Sequence, residues 1–154
     1  MDQVAERPPW LLRVKAADGG VVGAGVLVGD EIAMTCAHVV NHAVGRAPTD
    51  VARPDGEILL DVPFSESRIT CTASVEEHGW EPISDLGEGD VAILRLSDSA
   101  PSDAMKVPWK SFRSVWGHPF RAYGFPPGND RGEWTRGELM GPVGRDWVQL
   151  LSRS

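Results

Sequence analysis

Long apolar runs are missing from this chain of 154 residues. Nothing in it approaches the ~18 consecutive apolar residues of a membrane-crossing helix, so no membrane partner is expected. The start of the chain, Met1 to Arg7, has neither a basic beginning nor an apolar stretch, and does not read as a secretory signal. Cysteine is scarce. Cys36 and Cys71 could pair on count alone. Without a secretion signal, two reduced, buried thiols are the expectation, and a cytoplasmic protein with them. An excess of positive charge is missing too: 22 acidic residues face 15 basic ones, a formal net charge of -7. Phosphate binding needs a basic face, so no nucleic-acid partner is expected. Arg113, Arg121, Arg131 and Arg136 in the C-terminal third read as scattered solvated charge. No segment keeps a 3.6-residue apolar period over three turns, which excludes long helices.

What the chain does have is turns. Gly 17 and Pro 12 together make about 19% of it, against roughly 12% in an average protein. Short apolar or alternating stretches lie between them. Leu11 to Lys15 and Val21 to Val28 read as strands around the turn Asp18-Gly19-Gly20, and Gly29-Asp30 leads into a third, Ile32 to Thr35. Gly23 and Gly25 predict a bulge or a close backbone approach. Residues 37–42 fit one helical turn. Asp55-Gly56 signals a hairpin between Val51 and Ile58-Leu59-Leu60, and Arg68 to Val75 and Val91 to Leu96 alternate as half-exposed strands. Six or seven short strands within the first hundred residues predict an all-β, antiparallel barrel. Ser97 to Asp103 is polar and reads as a connector; beyond it Phe120 to Gly128, Trp134 to Leu139 and Trp147 to Leu151 predict further strands. The expected division is a lead at 1–9, a barrel at 10–100, a connector at 101–116 and the start of a second barrel at 117–154. The six tryptophans, Trp10, Trp80, Trp109, Trp116, Trp134 and Trp147, are not spaced as a stacking platform and are expected in core or rim packing.

Two segments carry candidate chemistry. Met34-Thr35-Cys36-Ala37-His38-Val39-Val40 delivers a histidine at the end of a strand, and Gly89-Asp90-Val91-Ala92-Ile93-Leu94-Arg95-Leu96 opens a strand with an aspartate. An imidazole beside a buried carboxylate can serve as a general base whose tautomer the carboxylate fixes. The separation of 52 positions between His38 and Asp90 leaves room for the chain to return to one rim. His38 and His42 are spaced i,i+4, like the zinc-binding His-Glu-x-x-His helix, but Val39 stands at the Glu position. No metal and no cofactor is expected. The acidic run from Asp85 to Asp90 has the wrong spacing for a calcium loop, and His78 and His118 read as solvated loop residues.

The His38 segment is close to the Thr-Ala-Ala-His pattern of the trypsin-like (chymotrypsin-fold) serine proteases. The Asp90 segment is close to that family's Asp-(Ile/Val)-Ala-(Leu/Val)-Leu, and Tyr123-Gly124-Phe125-Pro126 through Trp134 to Leu139 resembles the opening hairpin of its second barrel. The resemblance covers roughly residues 10–151. It implies a Greek-key β-barrel fold with part of a second barrel, a polypeptide substrate, His38 as general base and Asp90 as its orienting carboxylate. The departures are specific. Val39 follows the histidine where secreted animal members carry a cysteine, and Cys36 replaces an alanine, where packing is its expected role. No Ile-Val-Gly-Gly activation sequence is present. In these departures the chain resembles bacterial intracellular trypsin-like modules, often N-terminal parts of larger multidomain proteins. No serine here has glycine two positions before it or directly after it, so the family's Gly-x-Ser-Gly is missing, and with it the backbone amides of the oxyanion hole. The expectation is a serine endopeptidase domain whose serine and further domains lie beyond Ser154, the 154 residues alone being inactive. The alternative is a protease-like interaction or sensing module without catalysis, and a third, minor reading is a small metal-binding β-barrel using His38 and His42.

Overall fold

The computed structural model describes residues 7–144 and 147–152. Strands β1 (Leu11–Lys15), β2 (Val21–Leu27) and β3 (Ile32–Thr35) lead into helix α1 (Ala37–Ala43). Then follow β4 (Ile58–Asp61), β5 (Thr70–Glu81) and β6 (Val91–Leu96). These six strands close on themselves in the order β1-β2-β3-β6-β5-β4, every neighbour antiparallel. Closure leaves no unpaired edge, which is why such short strands suffice.

The period-2 pattern of the sequence sets the core. On β6, Ala92, Leu94 and Leu96 point inward and are buried, while Val91 and Arg95 are exposed. On β5, Cys71, Ala73 and Val75 do the same. Leu12, Val14, Leu27, Ile58 and Leu60 complete the interior, and Val39 and Val40 of α1 pack against it. Each fully buried side chain of this kind stabilises by about 1.5–3 kcal/mol relative to an exposed one. The register of β1 on β2 shifts between Val14 and Lys15, which puts a bulge beside Gly23, as the glycine spacing predicts. At the other side of β1, Arg13 and Lys15 both reach the Asp61 carboxylate on β4.

The barrel unit runs through Val107, held by backbone bonds such as Met105 N–H to Pro9 C=O and Val107 N–H to Leu27 C=O. The second unit starts at Pro108, within the expected connector. It holds β7 (Pro119–Gly124), β8 (Glu133–Val143) and β9 (Trp147–Ser152) as a three-stranded antiparallel sheet with β8 in the middle. Tyr123 stands edge-on to both Phe125 and Trp134.

Four expectations need correcting. Asp55-Gly56 closes no hairpin: residues 50–57 contain no strand, and β4 pairs instead with β1 and β5. Strand β5 starts at Thr70 and runs six residues past Val75, absorbing an irregularity between Val75 and Trp80 against β6. His78 therefore sits on a strand, though exposed, and His118 lies edge-on against the Phe112 ring instead of being free in solvent. The tryptophans do not share one fate. Trp80 packs against the core and donates to the Val51 carbonyl, but Trp109, Trp116, Trp134 and Trp147 are exposed. Among the described residues no helix is long and apolar enough to cross a membrane.

Candidate active site

Barrel register brings two chain segments to one rim. Thr35, the last residue of β3, pairs with Ala92 near the start of β6. Three residues beyond Thr35 lies His38; two residues before Ala92 lies Asp90. The Thr35 hydroxyl donates to the Ala24 carbonyl across β2 at 2.7 Å and ties down the end of β3. The chain then turns through Cys36 into α1, with the buried Val39 and Val40 fixing the helix on the barrel. His38, its second residue, faces outward with 48% of its side chain exposed.

Asp90 arrives through a tight loop. The Ser84 N–H donates to the Glu88 carbonyl and the Gly87 N–H to the Ser84 carbonyl. Gly89 has φ 86°, and a Cβ there would come within 2.7 Å of the Pro82 carbonyl oxygen, so no side chain fits. Asp90 itself has φ 72°, an uncommon conformation for a non-glycine residue. Backbone strain of this kind persists only where surrounding contacts over-determine it.

Those contacts are to His38. Asp90 Oδ1 accepts the His38 backbone N–H at 2.9 Å, and Oδ2 lies 2.7 Å from His38 Nδ1. With its proton on Nδ1 the ring donates to the carboxylate and leaves Nε2 free as an acceptor. The same carboxylate also completes the helix start. Cys36, the N-cap residue of α1, makes no side-chain capping bond. An aspartate 52 residues away satisfies an amide of the first turn instead, where negative charge is favoured. One group thus positions the helix and orients the ring it carries.

The structure brings the two sequence-predicted residues together and adds a third. The Cys36 Sγ, a ring nitrogen of His38 and an Asp90 carboxylate oxygen all lie within 4.8 Å of one another. Sequence reasoning assigned Cys36 to packing in a buried position. It does pack against the core, but it is only partly buried, and it borders the site. Its place two residues before His38, where the strand gives way to the helix, was the available signal. Burial pushes its thiol above the ordinary cysteine range, and the Asp90 charge and hydrogen bonding push the same way. Cys71 is buried in the barrel wall, and both thiols are free. His42 lies one turn further along α1, exposed, and is not in this group.

A closed antiparallel barrel with a histidine and an aspartate joined at one rim defines a class, the trypsin-like β-barrel proteins. The family model described as "Trypsin-like peptidase domain" matches residues 23–153, and the chain belongs to this family. No curated protein gives a match. Among solved structures, the chain is similar to neuropsin, a serine protease expressed in the limbic system of mouse brain. The TM-score is 0.59 at 16% identity, covering 86% of this chain and 60% of that one. It is also similar to a serine endoprotease from Yersinia pestis, with TM-score 0.58 and 19% identity over 90% of this chain and 43% of that one. The chain therefore spans less than two thirds of the length of these structures.

Proposed function

We propose that this chain is the part of a serine endopeptidase that carries the general base and its orienting carboxylate. The observation that carries the reading is the double contact of Asp90 with His38, to the backbone amide and to Nδ1, in a chain of the trypsin-like peptidase family. In this role Asp90 holds the proton on His38 Nδ1. His38 Nε2 then takes the proton of an attacking hydroxyl, and Asp90 stabilises the imidazolium that forms. The attacking serine is supplied by sequence outside these 154 residues, none of whose serines stands in a Gly-x-Ser-Gly setting. A polypeptide is the substrate. A cytoplasmic location belongs to the same proposal, supported by the two free thiols.

The test uses the protein with its full reading frame and an unfolded polypeptide as substrate. Asp90→Asn is expected to lower turnover by a factor on the order of 10⁴, the scale of this substitution in a Ser-His-Asp triad. An asparagine keeps a carbonyl oxygen for the His38 backbone N–H. Its amide then faces Nδ1 as a donor, which forces the ring proton onto Nε2, the nitrogen that should accept. His38→Ala is expected to be at least as damaging. Near-normal hydrolysis in either variant, or none in the wild type, refutes the proposal; the second outcome favours an interaction or sensing module on a protease scaffold.

A further inference from the structure

The third member of the rim cluster has no part in the proton transfer just described. We propose that Cys36, His38 and Asp90 form a site for a soft divalent cation of the zinc or cadmium type, and that the bound cation replaces the His38–Asp90 hydrogen bond. The donor set is one sulfur, one imidazole nitrogen and one carboxylate oxygen, the mixture that such ions favour over oxygen-seeking magnesium or calcium. All three ligand atoms already lie within 4.8 Å of one another. A tetrahedral zinc ion holds sulfur, nitrogen and oxygen ligands about 3.4–3.6 Å apart, from bond lengths of about 2.0–2.3 Å. The Nδ1 to Oδ2 distance of 2.7 Å must therefore open by somewhat under 1 Å, and the sulfur, within 4.8 Å of a ring nitrogen and a carboxylate oxygen, must close by at most about 1.4 Å. The ring can make this adjustment because nearly half of the His38 side chain is in solvent. Asp90 can keep Oδ1 on the His38 amide while Oδ2 turns to the ion. Three protein ligands leave a fourth position for water.

The exchange balances simply. The Cys36 thiol gives its proton to solvent and binds as thiolate. His38 binds through Nδ1 as neutral imidazole, so its remaining proton sits on Nε2. The proton that Nδ1 held is lost to solvent as Nε2 takes one up, Asp90 Oδ2 binds as carboxylate, and the cation sheds one of its waters for each ligand it gains. The consequence for hydrolysis rests on the function proposed above: with Nε2 protonated, His38 cannot accept a proton from a serine, and the cation acts as a reversible inhibitor that needs no contact with substrate.

The 154-residue protein is titrated with cadmium under reducing conditions in a non-chelating buffer, and the ultraviolet thiolate-to-metal absorption is followed. One equivalent is expected to saturate the band. Cys71→Ala should keep it and Cys36→Ser should abolish it. His38→Ala is expected to weaken binding by at least about tenfold, the lower bound for losing even a supporting partner of a metal ligand. Because His38 is exposed, this variant tests the site even if Cys36→Ser perturbs the fold; circular dichroism identifies that case. Absence of the band, its persistence in Cys36→Ser, or unchanged affinity in His38→Ala overturns the site. A second arm adds cadmium to the serine-containing protein. Loss of hydrolysis that a chelator restores supports inhibition, and full hydrolysis at saturating cadmium overturns it. A wild type that hydrolyses nothing without cadmium refutes the proposed function, and the titration still decides the site.

Discussion

In the barrel, Leu60 on β4 and Leu94 on β6 are each 1% exposed. In the second unit, Trp147 and Leu150 on β9 are 55% and 56% exposed. The two units use similar residues and the same antiparallel pairing, so composition does not explain the contrast. Topology does. The barrel closes β1 through β6 into a ring whose inward side chains meet one another and α1. The sheet β7-β8-β9 ends at two open edges, and its apolar residues Val143, Trp147, Val148, Leu150 and Leu151 meet solvent. Closure turns alternating strands into a core, whereas three strands alone leave apolar surface uncovered. The His38–Asp90 pair belongs wholly to the closed unit, which gives it a rigid support.

The comparison breaks first at the barrel core. Leu60→Ala is expected to destabilise by about 2–5 kcal/mol, from lost transfer energy and the cavity left behind. Urea unfolding followed by far-ultraviolet circular dichroism measures it. A loss below about 1 kcal/mol would mean that the ring does not act as one packed core.

A smaller effect is expected where the wall of the barrel is pinned by charge. Arg13 Nε donates to Asp61 Oδ1 and Nη2 to Oδ2, both at 2.7 Å, while Lys15 Nζ stands 2.6 Å from Oδ2. Burial alone would raise the Asp61 carboxyl, but the bonds and charges of Arg13 and Lys15 outweigh it and hold it below the ordinary range. A carboxyl depressed by folding adds stability that is fully present above its unfolded value, about 3.9. That stability is lost as pH falls through the lower folded value. Asp61→Asn should therefore cost about 2 kcal/mol at neutral pH, the scale of a hydrogen bond to a charged group. The gap between variant and wild type should shrink once pH drops under about 4. A pH-independent gap would mean that Asp61 acts through shape alone.

Much of this was legible in the sequence, and the legible parts share a cause. Leu11–Lys15, Ile32–Thr35 and Val91–Leu96 are strands over the very residues that their short apolar or alternating stretches predict, because each buries apolar side chains of the barrel. The His38 and Asp90 segments were legible for a second reason: the residues around them match a family pattern. What was hidden depends on partners distant in sequence. His78 reads as a loop residue, yet it and its neighbour Gly79 lie within β5, where a Cβ on Gly79 would come within 2.6 Å of the Ile93 side chain. The glycine marks a close approach of β6, which no local pattern reports. Asp55-Gly56 fails for the complementary reason. Arg46 binds Asp50 and the Ala52 carbonyl, and the Arg53 guanidinium reaches the Val75 carbonyl, so side chains organise a stretch that backbone pairing does not. Cys36 packs against the core as its sequence neighbours suggest, but its neighbour in space, Asp90, lies 54 residues away in sequence and no local pattern reports it.

The smallest expected effect sharpens the comparison most. Leu150→Ser on β9 removes an apolar side chain of a type that would cost several kcal/mol inside the barrel. Because Leu150 is 56% exposed in the 154-residue chain, the change should alter stability by no more than about 0.5 kcal/mol. Matched unfolding curves of wild type and variant at two protein concentrations provide the measurement. A loss of about 2 kcal/mol or more would show that the β9 side chain is covered in solution. If that loss appears only at the higher concentration, copies of the chain cover one another's sheets; if it appears at both, the sheet is covered within a single chain. A near-zero result at both concentrations leaves the contrast as the structure has it. The same substitution then becomes a probe for any longer form of the protein. Added strands that bury β8 and β9 should turn a neutral change at Leu150 into a core-sized one, while Leu60→Ala keeps its cost in both forms.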